Sequence, residues 1–330
     1  MLWTDGLHDH FRRFAASGRQ SLLVFAPFVR LEALQTVLQN ATAEEISVVT
    51  EWTTKSLRDG SSDLEVYPYL RDRGAKLYLL PSLHMKVLVV DYERAVVSTA
   101  NITGRGLGLA SHPNVECATH VNELGVRDQL WFMRNLLQGN LVRDCDYDAL
   151  KRRLDVQPAE WMDIPDEDWA VGISPAHDLC LRALPRCSSP QVLVDGLWQL
   201  GLEDGVPMPL DVRANILHDA ALYDLDPNLP PDVNLALLKK RFFAQPLVHA
   251  FVEWVEAYRY FGESKAWLQG HCADQPAPAR RGLTDHVRIL FDWVSALGDD
   301  AFVLVRPRHS ECLIRQPQAP VRDGALAFCP

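Results

Sequence analysis

The chain has 330 residues, 48 % of them apolar, enough to bury real cores and to fill two domains or one large one with additions. Its formal net charge is −10, with 15 Lys and Arg against 18 Asp and Glu in residues 1–150 and 18 against 25 in residues 151–330, so neither half carries the broad positive field of an electrostatic nucleic-acid binder. No apolar run approaches the ~18 residues of a membrane span, the opening "MLWTDGLHDHFRRF" does not read as a signal peptide, and seven cysteines without C-x-x-C spacing read as reduced thiols of a cytoplasmic protein.

In chain order, "SLLVFAPFV" (21–29) reads as a buried strand and "LEALQTVLQNA" (31–41) as a helix with Leu31, Leu34, Val37 and Leu38 on one stripe. "EISVVTEW" (45–52) returns to a strand, and "SDLEVYPYLRDRGA" (62–75) to a short helix stopped by glycine. Three closely spaced strands follow, "KLYLLPS" (76–82), "MKVLVVD" (85–91) and "RAVVSTA" (94–100), the last two pairing across "DYER" as a hairpin. "VECATHV" (115–121) is a further strand, and "NELGVRDQLWFMRNLLQG" (122–139) a helix with glycine at its end. Strands alternating with helices imply an α/β layer structure over residues 1–154, a mixed sheet flanked by helices.

Composition then changes. Residues 155–178, with three prolines and seven acids, read as a linker, and residues 179–330 as a mainly helical C-terminal domain. Within it, 234–262 is helical with an interruption near Pro246 and a stripe of Val248, Phe251, Val252, Val255 and Tyr258. Residues 283–298 form another helix, with Thr284 as N-cap, Val287, Leu290, Phe291, Val294 and Leu297 buried, and Gly298 as the stop. Residues 301–315 read as two short strands around Arg306, Pro307, Arg308 and His309, so 283–315 resembles the wing of a winged-helix module in outline.

The chemistry concentrates in "HMKVLVVDYERAVVSTAN" (84–101). On a strand, His84 and Lys86 are two apart and point to one face. An imidazole and an ammonium side by side at the mouth of a buried strand are costly unless an anion compensates. Thr99 and Asn101 share a face of the next strand, which the hairpin brings beside them. One titratable ring, one cation and several hydrogen-bond donors suit a tetrahedral phosphate.

These residues resemble the His-Lys-Asp motif of the phospholipase D superfamily: His-x-Lys, four residues, Asp, six residues, Gly-Ser-x-Asn. His84, Lys86, Asp91 and Asn101 match in register, and Ser98 and Thr99 stand where the family has Gly and Ser. "GRGL" and "NVE" (114–116) look like the tail that often follows, and the similarity spans roughly residues 10–140. The resemblance implies a phosphodiesterase that needs neither metal nor cofactor. His84 would be the nucleophile that forms a phospho-histidine. Lys86 and Asn101 would hold the non-bridging oxygens, with Thr99 adding a hydroxyl. Glu116 would bond the far imidazole nitrogen. Asp91 takes a structural, supporting role, and Ser98 shapes the approach.

The chemistry asks for a second imidazole to protonate the leaving oxygen. The chain holds one His-x-Lys, so the resemblance implies a homodimer in which two His84 side chains share one site. By family analogy the expected role is a DNA nuclease, an effector in bacterial anti-phage defence, with a helicase or another complex subunit as partner and no membrane. Further nucleic-acid contacts are expected at Arg306, Arg308, His309 and Arg315, and at Lys239, Lys240 and Arg241. Two rivals stand beside this reading. One is a phospholipase or phosphatidyl-transferase. The other is a non-catalytic nucleic-acid-binding or scaffold subunit, which the acidic charge favours. Cys117 and His120, three apart with no second ligand pair, read as core and not as a zinc site.

Overall fold

Alternation along the strands explains the architecture. A computed structural model describes residues 2–155, 179–202, 207–274, 277–307 and 310–316. The first half runs β1 (Leu2–Trp3), α1 (Leu7–Ala15), β2 (Ser21–Phe25), α2 (Leu31–Leu38), β3 (Glu45–Thr50), α3 (Thr54–Arg58) and α4 (Val66–Asp72). Then come β4 (Lys76–Leu79), β5 (Val87–Val90), β6 (Arg94–Ser98), β7 (Ala118–Val121), α5 (Val126–Gln138), β8 (Asn140–Leu141) and α6 (Asp144–Asp155). The strands form one eight-stranded sheet in the order β1-β7-β6-β5-β2-β3-β4-β8. Strand β3 is parallel to both β2 and β4, and every other pairing is antiparallel. The expected mixed sheet flanked by helices is present.

Strands β2 and β5 are buried from end to end because both sheet faces are covered, which is why their sequences are continuous apolar runs. Leu22, Val24, Leu88 and Val90 point into a core with Phe11 and Phe14 of α1, Leu34 and Val37 of α2, and Leu70 of α4. Leu23, Phe25, Val87 and Val89 point the other way, onto Leu130, Phe132, Met133 and Leu136 of α5. The expected β5–β6 hairpin is in register, Val87 opposite Val97 and Val90 opposite Arg94. Asp91 and Tyr92 adopt φ of 54° and 57°, and the Glu93 amide donates to the Val90 carbonyl, the left-handed turn that twisted hairpins favour.

The second half is helical: α7 (Pro190–Gly201), α8 (Leu210–Leu222), α9 (Pro231–Ala244), α10 (Pro246–Trp254), α11 (Phe261–His271) and α12 (Thr284–Leu297). A three-stranded sheet accompanies them, β9 (Tyr258–Tyr260), β10 (Phe302–Val305) and β11 (Cys312–Arg315), with β11 in the middle. The apolar core on the α5 face continues without a break into α7, α8, α9, α10 and α12. Arg213 of α8 also grips the hairpin turn, donating to Glu93 at 2.8 Å and to Gln129 at 3.2 Å.

Several local expectations change. The interruption at Pro246 is real, because proline has no N–H to continue the α9 ladder. Tyr258 does not extend the α10 stripe; it lies exposed on β9, after the helix ends at Trp254. Thr284 is inside α12 and Leu283 occupies the cap position, while the buried face of α12 is as expected, joined by Trp293. Of the stretch expected as a linker, 156–178 lies outside the described residues.

Candidate active site

One end of the large sheet collects the motif. The carboxyl ends of β2, β3, β4 and β6 and the amino ends of β5 and β7 meet there, the edge at which α/β sheets hold ligands. The strand carrying His84 and Lys86 begins later than expected, at Val87. Pro81 has no ladder donor and Ser82 turns to φ 60°, so residues 80–86 form a loop. That loop is tied down: the Leu80 amide donates to Thr50, Leu83 is buried, and the Ser98 amide donates to the Lys86 carbonyl at 2.9 Å.

The pair nevertheless meets. Lys86 Nζ lies 3.3 Å from His84 Nε2 and donates to the His84 carbonyl at 3.0 Å. An ammonium has no acceptor, so the contact is a hydrogen bond only in the tautomer with the lone pair on Nε2 and the ring proton on Nδ1. His84 is exposed and Lys86 half-buried.

Opposite them, Ser98 donates to Cys117 O at 3.1 Å and accepts from the Ala100 amide at 2.9 Å, so its hydroxyl is committed to its own loop. Thr99 accepts from the Cys117 amide at 3.0 Å and donates to Glu116. Its single proton therefore goes to a carboxylate. Glu116 also accepts from Asn114 at 3.1 Å, and no bond from Glu116 to His84 occurs among the described residues, unlike the role expected of it. Asn101 accepts from the Phe28 amide at 3.4 Å through Oδ1, leaving its NH₂ group to donate elsewhere. Gly106 packs so tightly on this residue that a Cβ there would fall 2.6 Å from the Asn101 carbonyl oxygen. Lys86 and Asn101 thus keep N–H groups free to donate, while the Ser98 and Thr99 hydroxyls do not.

A cavity of about 620 Å³ opens beside Asn101 and Asn114, lined also by Phe28, Arg30, Asp59 and Arg105. Arg30 is held by Asp63 at 3.1 Å and by the Gly60 carbonyl, whereas Arg105 is exposed. Nearby in the chain, Val97 beside Ser98 is 42 % exposed and Val115 beside Glu116 is fully exposed.

Asp91 stands apart from the rest of the motif. Its carboxylate accepts from the backbone amides of Arg19, Gln20 and Ser21 at 3.1, 2.8 and 3.0 Å, at the start of β2. The four residues of β5, at ~3.3 Å each, stand between it and the loop that carries His84.

One charged neighbour of His84 was not anticipated. Glu51 directly follows β3 and is half-buried. Burial pushes its pKa up, partly offset by the Ser82 backbone and by the charge of His84. The available signal was its position, an acid at the carboxyl end of a parallel apolar strand.

The basic residues do not converge on the motif. Lys239 pairs with Asp299, Arg241 with Asp224 and two backbone carbonyls, Arg306 with Glu311, and Arg315 with Glu253 at 3.6 Å; Lys240 is exposed. Arg308 and His309 lie outside the described residues. His120 packs between Trp3 and Phe14. Among the described residues no group of three or more His, Cys, Asp or Glu is placed to hold a metal ion, and no helix is long and apolar enough to cross a membrane.

Comparison with protein-family models gives no match, and comparison with curated proteins gives none. Among solved structures, the chain is similar to NucT from Helicobacter pylori at 12 % identity and a TM-score of 0.33, over 42 % of this chain and 96 % of that one. It is similar also to a phospholipase D family member, Nuc from Salmonella typhimurium, at 15 % identity and a TM-score of 0.34, over 44 % of this chain and 97 % of that one.

Proposed function

We propose that the chain is a phospholipase D-superfamily phosphodiesterase that cleaves nucleic acid as a homodimer, through a phospho-histidine intermediate and without a metal. The observation that carries this reading is the meeting of His84 Nε2 with Lys86 Nζ at 3.3 Å, on the edge where Asn101 presents its amide. Nε2 attacks phosphorus while Lys86 and Asn101 take the non-bridging oxygens, whose charge grows in the transition state. The leaving oxygen takes its proton from His84 of a second chain. Water then attacks the phospho-histidine, gives its proton back to that imidazole and releases His84.

The shared site is supported by the single His-x-Lys and by the exposed Val97 and Val115, next in the chain to Ser98 and Glu116, apolar side chains that a second copy would cover. The nucleic-acid preference over lipid is supported by the cavity beside Asn101, whose Asp, Asn and Arg lining suits sugars and bases better than acyl chains. In the second half, helix α10, strand β9, helices α11 and α12, and strands β10 and β11 follow in winged-helix order, and we read them as such a module. Its exposed helix face is charge-balanced, with Arg288 paired to Asp285 at 3.2 Å, which fits partner docking, for example with a helicase in an anti-phage complex, more than phosphate grip.

The test is cleavage of single- and double-stranded DNA and of RNA in EDTA, with headgroup release from lipid vesicles as the contrasting assay. Turnover is expected on nucleic acid, and His84→Ala should abolish it. Lys86→Ala should lower kcat by about 10²- to 10³-fold, as loss of an oxyanion donor does. Partner binding without turnover of any diester would favour the non-catalytic subunit.

A further inference from the structure

A chain of net charge −10 that acts on nucleic acid must gather its cations locally. Helix α5 does so. Arg127, Trp131, Arg134 and Gln138 follow one another at helical spacing and form one stripe, about 16 Å long at ~1.5 Å per residue. Two cavities, of about 490 and 310 Å³, open along that stripe and adjoin at Arg134 and Asp224, which line both. Arg241 of α9 lines the larger and Arg182 the smaller, so four guanidinium groups meet two carboxylates, Asp224 and Asp226. Asp224 is engaged by Arg134 at 3.1 Å and by Arg241 at 3.6 Å, and Asp226 accepts from Asn228 at 2.9 Å. The arginines keep donors to spare, since each guanidinium carries five N–H bonds. Arg127 is exposed and makes no ion pair among the described residues. Arg134 Nε and Arg182 Nη1 are buried donors without an acceptor, which folded proteins rarely leave uncompensated. Between Arg127 and Arg134 on the stripe, Trp131 is 50 % exposed, its ring braced by Phe132 in a T-shaped contact at 5.1 Å.

We propose that the α5 cleft binds single-stranded nucleic acid, with an unpaired base on Trp131 and phosphates on Arg127, Arg134 and Arg182. An exposed indole among arginines offers what a single strand needs, a ring for a base to stack on and cations that follow the backbone. A duplex keeps its bases stacked on one another and has none to give Trp131. The cleft also runs toward the motif. Two residues after Gln138, Asn140 pairs with Leu79, the last residue of β4, at the sheet end where the loop carrying His84 begins. Strand β4 stands three strands from β5, about 14 Å at ~4.8 Å per strand. The inference deepens the nucleic-acid reading and rests on it for its ligand.

The experiment uses the full chain with His84→Ala, so that the probe stays whole. The probe is fluorescein-labelled oligothymidylate of about 12 nucleotides, within the site sizes single-strand binders cover. Anisotropy across a salt series gives affinity, and tryptophan emission reports stacking. Binding should quench the emission, and adding Trp131→Ala should abolish the quench and weaken affinity about tenfold or more. Adding Arg127→Ala should weaken affinity and flatten the slope of log K against log salt by about 0.7, the share of one phosphate on a single strand. Both side chains are exposed, and urea midpoints check that each variant folds. Arg13, exposed on α1 over the other sheet face, is the control, and Arg13→Ala should change neither affinity nor slope. Full affinity in Trp131→Ala, an equal loss in Arg13→Ala, or a duplex bound as tightly as the single strand overturns the proposal. Cleavage by the wild-type chain combined with any of those results leaves the phosphodiesterase reading standing without the cleft. A wild-type chain that cleaves no diester, with Trp131 and Arg127 responding as described, sinks the phosphodiesterase reading and leaves the cleft supported.

Discussion

Replacing Asp91 with alanine should unfold the protein more easily and leave chemistry untouched in the molecules that remain folded. The carboxylate accepts three backbone amides at the head of β2, and the Ser21 bond is buried. Losing the acceptor strands that buried N–H at about 1–3 kcal/mol, while the Arg19 and Gln20 amides recover part of their loss from water. Alanine must also hold φ near 54°, where an Asp side chain is better tolerated, for about another 1–2 kcal/mol. The total comes to about 4 kcal/mol. Asparagine keeps one acceptor oxygen and the left-handed turn, so Asp91→Asn should cost only about 1–2 kcal/mol. Urea denaturation gives the stability change, and kcat measured where both variants are folded gives the chemistry. A fall in kcat without a shift in the denaturation midpoint would refute the reasoning, because it would place Asp91 in the reaction and not in the scaffold.

Gly106→Ala puts a Cβ 2.6 Å from the Asn101 carbonyl oxygen; we expect Asn101 to be displaced, with kcat down by about tenfold or more and about 1–3 kcal/mol of stability lost, read by kinetics and thermal melting. Asp219, fully buried, accepts from the Arg186 and Cys187 amides at 2.9 and 2.8 Å and bonds His218 Nδ1 at 2.8 Å, so Asp219→Ala should cost about 3–5 kcal/mol by urea titration. Glu51 has a raised pKa in the folded chain, so it favours the fold below its ordinary 4.5 and that contribution is lost as pH rises through the folded value. Glu51→Gln does not titrate; its stability relative to wild type should climb from pH 4.5 upward and then level off, and a pH-independent difference in urea midpoints would count against the burial effect.

The sheet was legible because covering both faces leaves an unmistakable signature in β2 and β5, runs such as "LLVF" and "VLVV" with no polar interruption. The motif was legible through spacing, although His84 and Lys86 meet across a loop and not along a strand; a tied loop and a strand both keep the two side chains together. What spacing could not reveal were contacts decided by neighbours distant in sequence. Thr99 reads as a free hydroxyl until Glu116 is placed against it. Glu51 lies 33 positions before His84 in the chain and becomes its neighbour only because β3 and β4 run parallel and finish together. In the second half, the apolar stripe of α12 was readable, while α8 buries His218 and Asp219 among apolar residues and so blurs the pattern that would have marked its face.

The continuous core between the sheet and the later helices has a consequence during synthesis. By the time Gln138 closes α5, the strands can already pair, but that helix keeps one apolar side bare until Leu222 completes α8. At ribosomal rates of ~5–20 residues per second, the delay is on the order of ten seconds. Through that interval the nascent chain exposes Leu130 and Met133, a surface that invites chaperones or self-association. A fragment cut after α6 would stay in that state permanently.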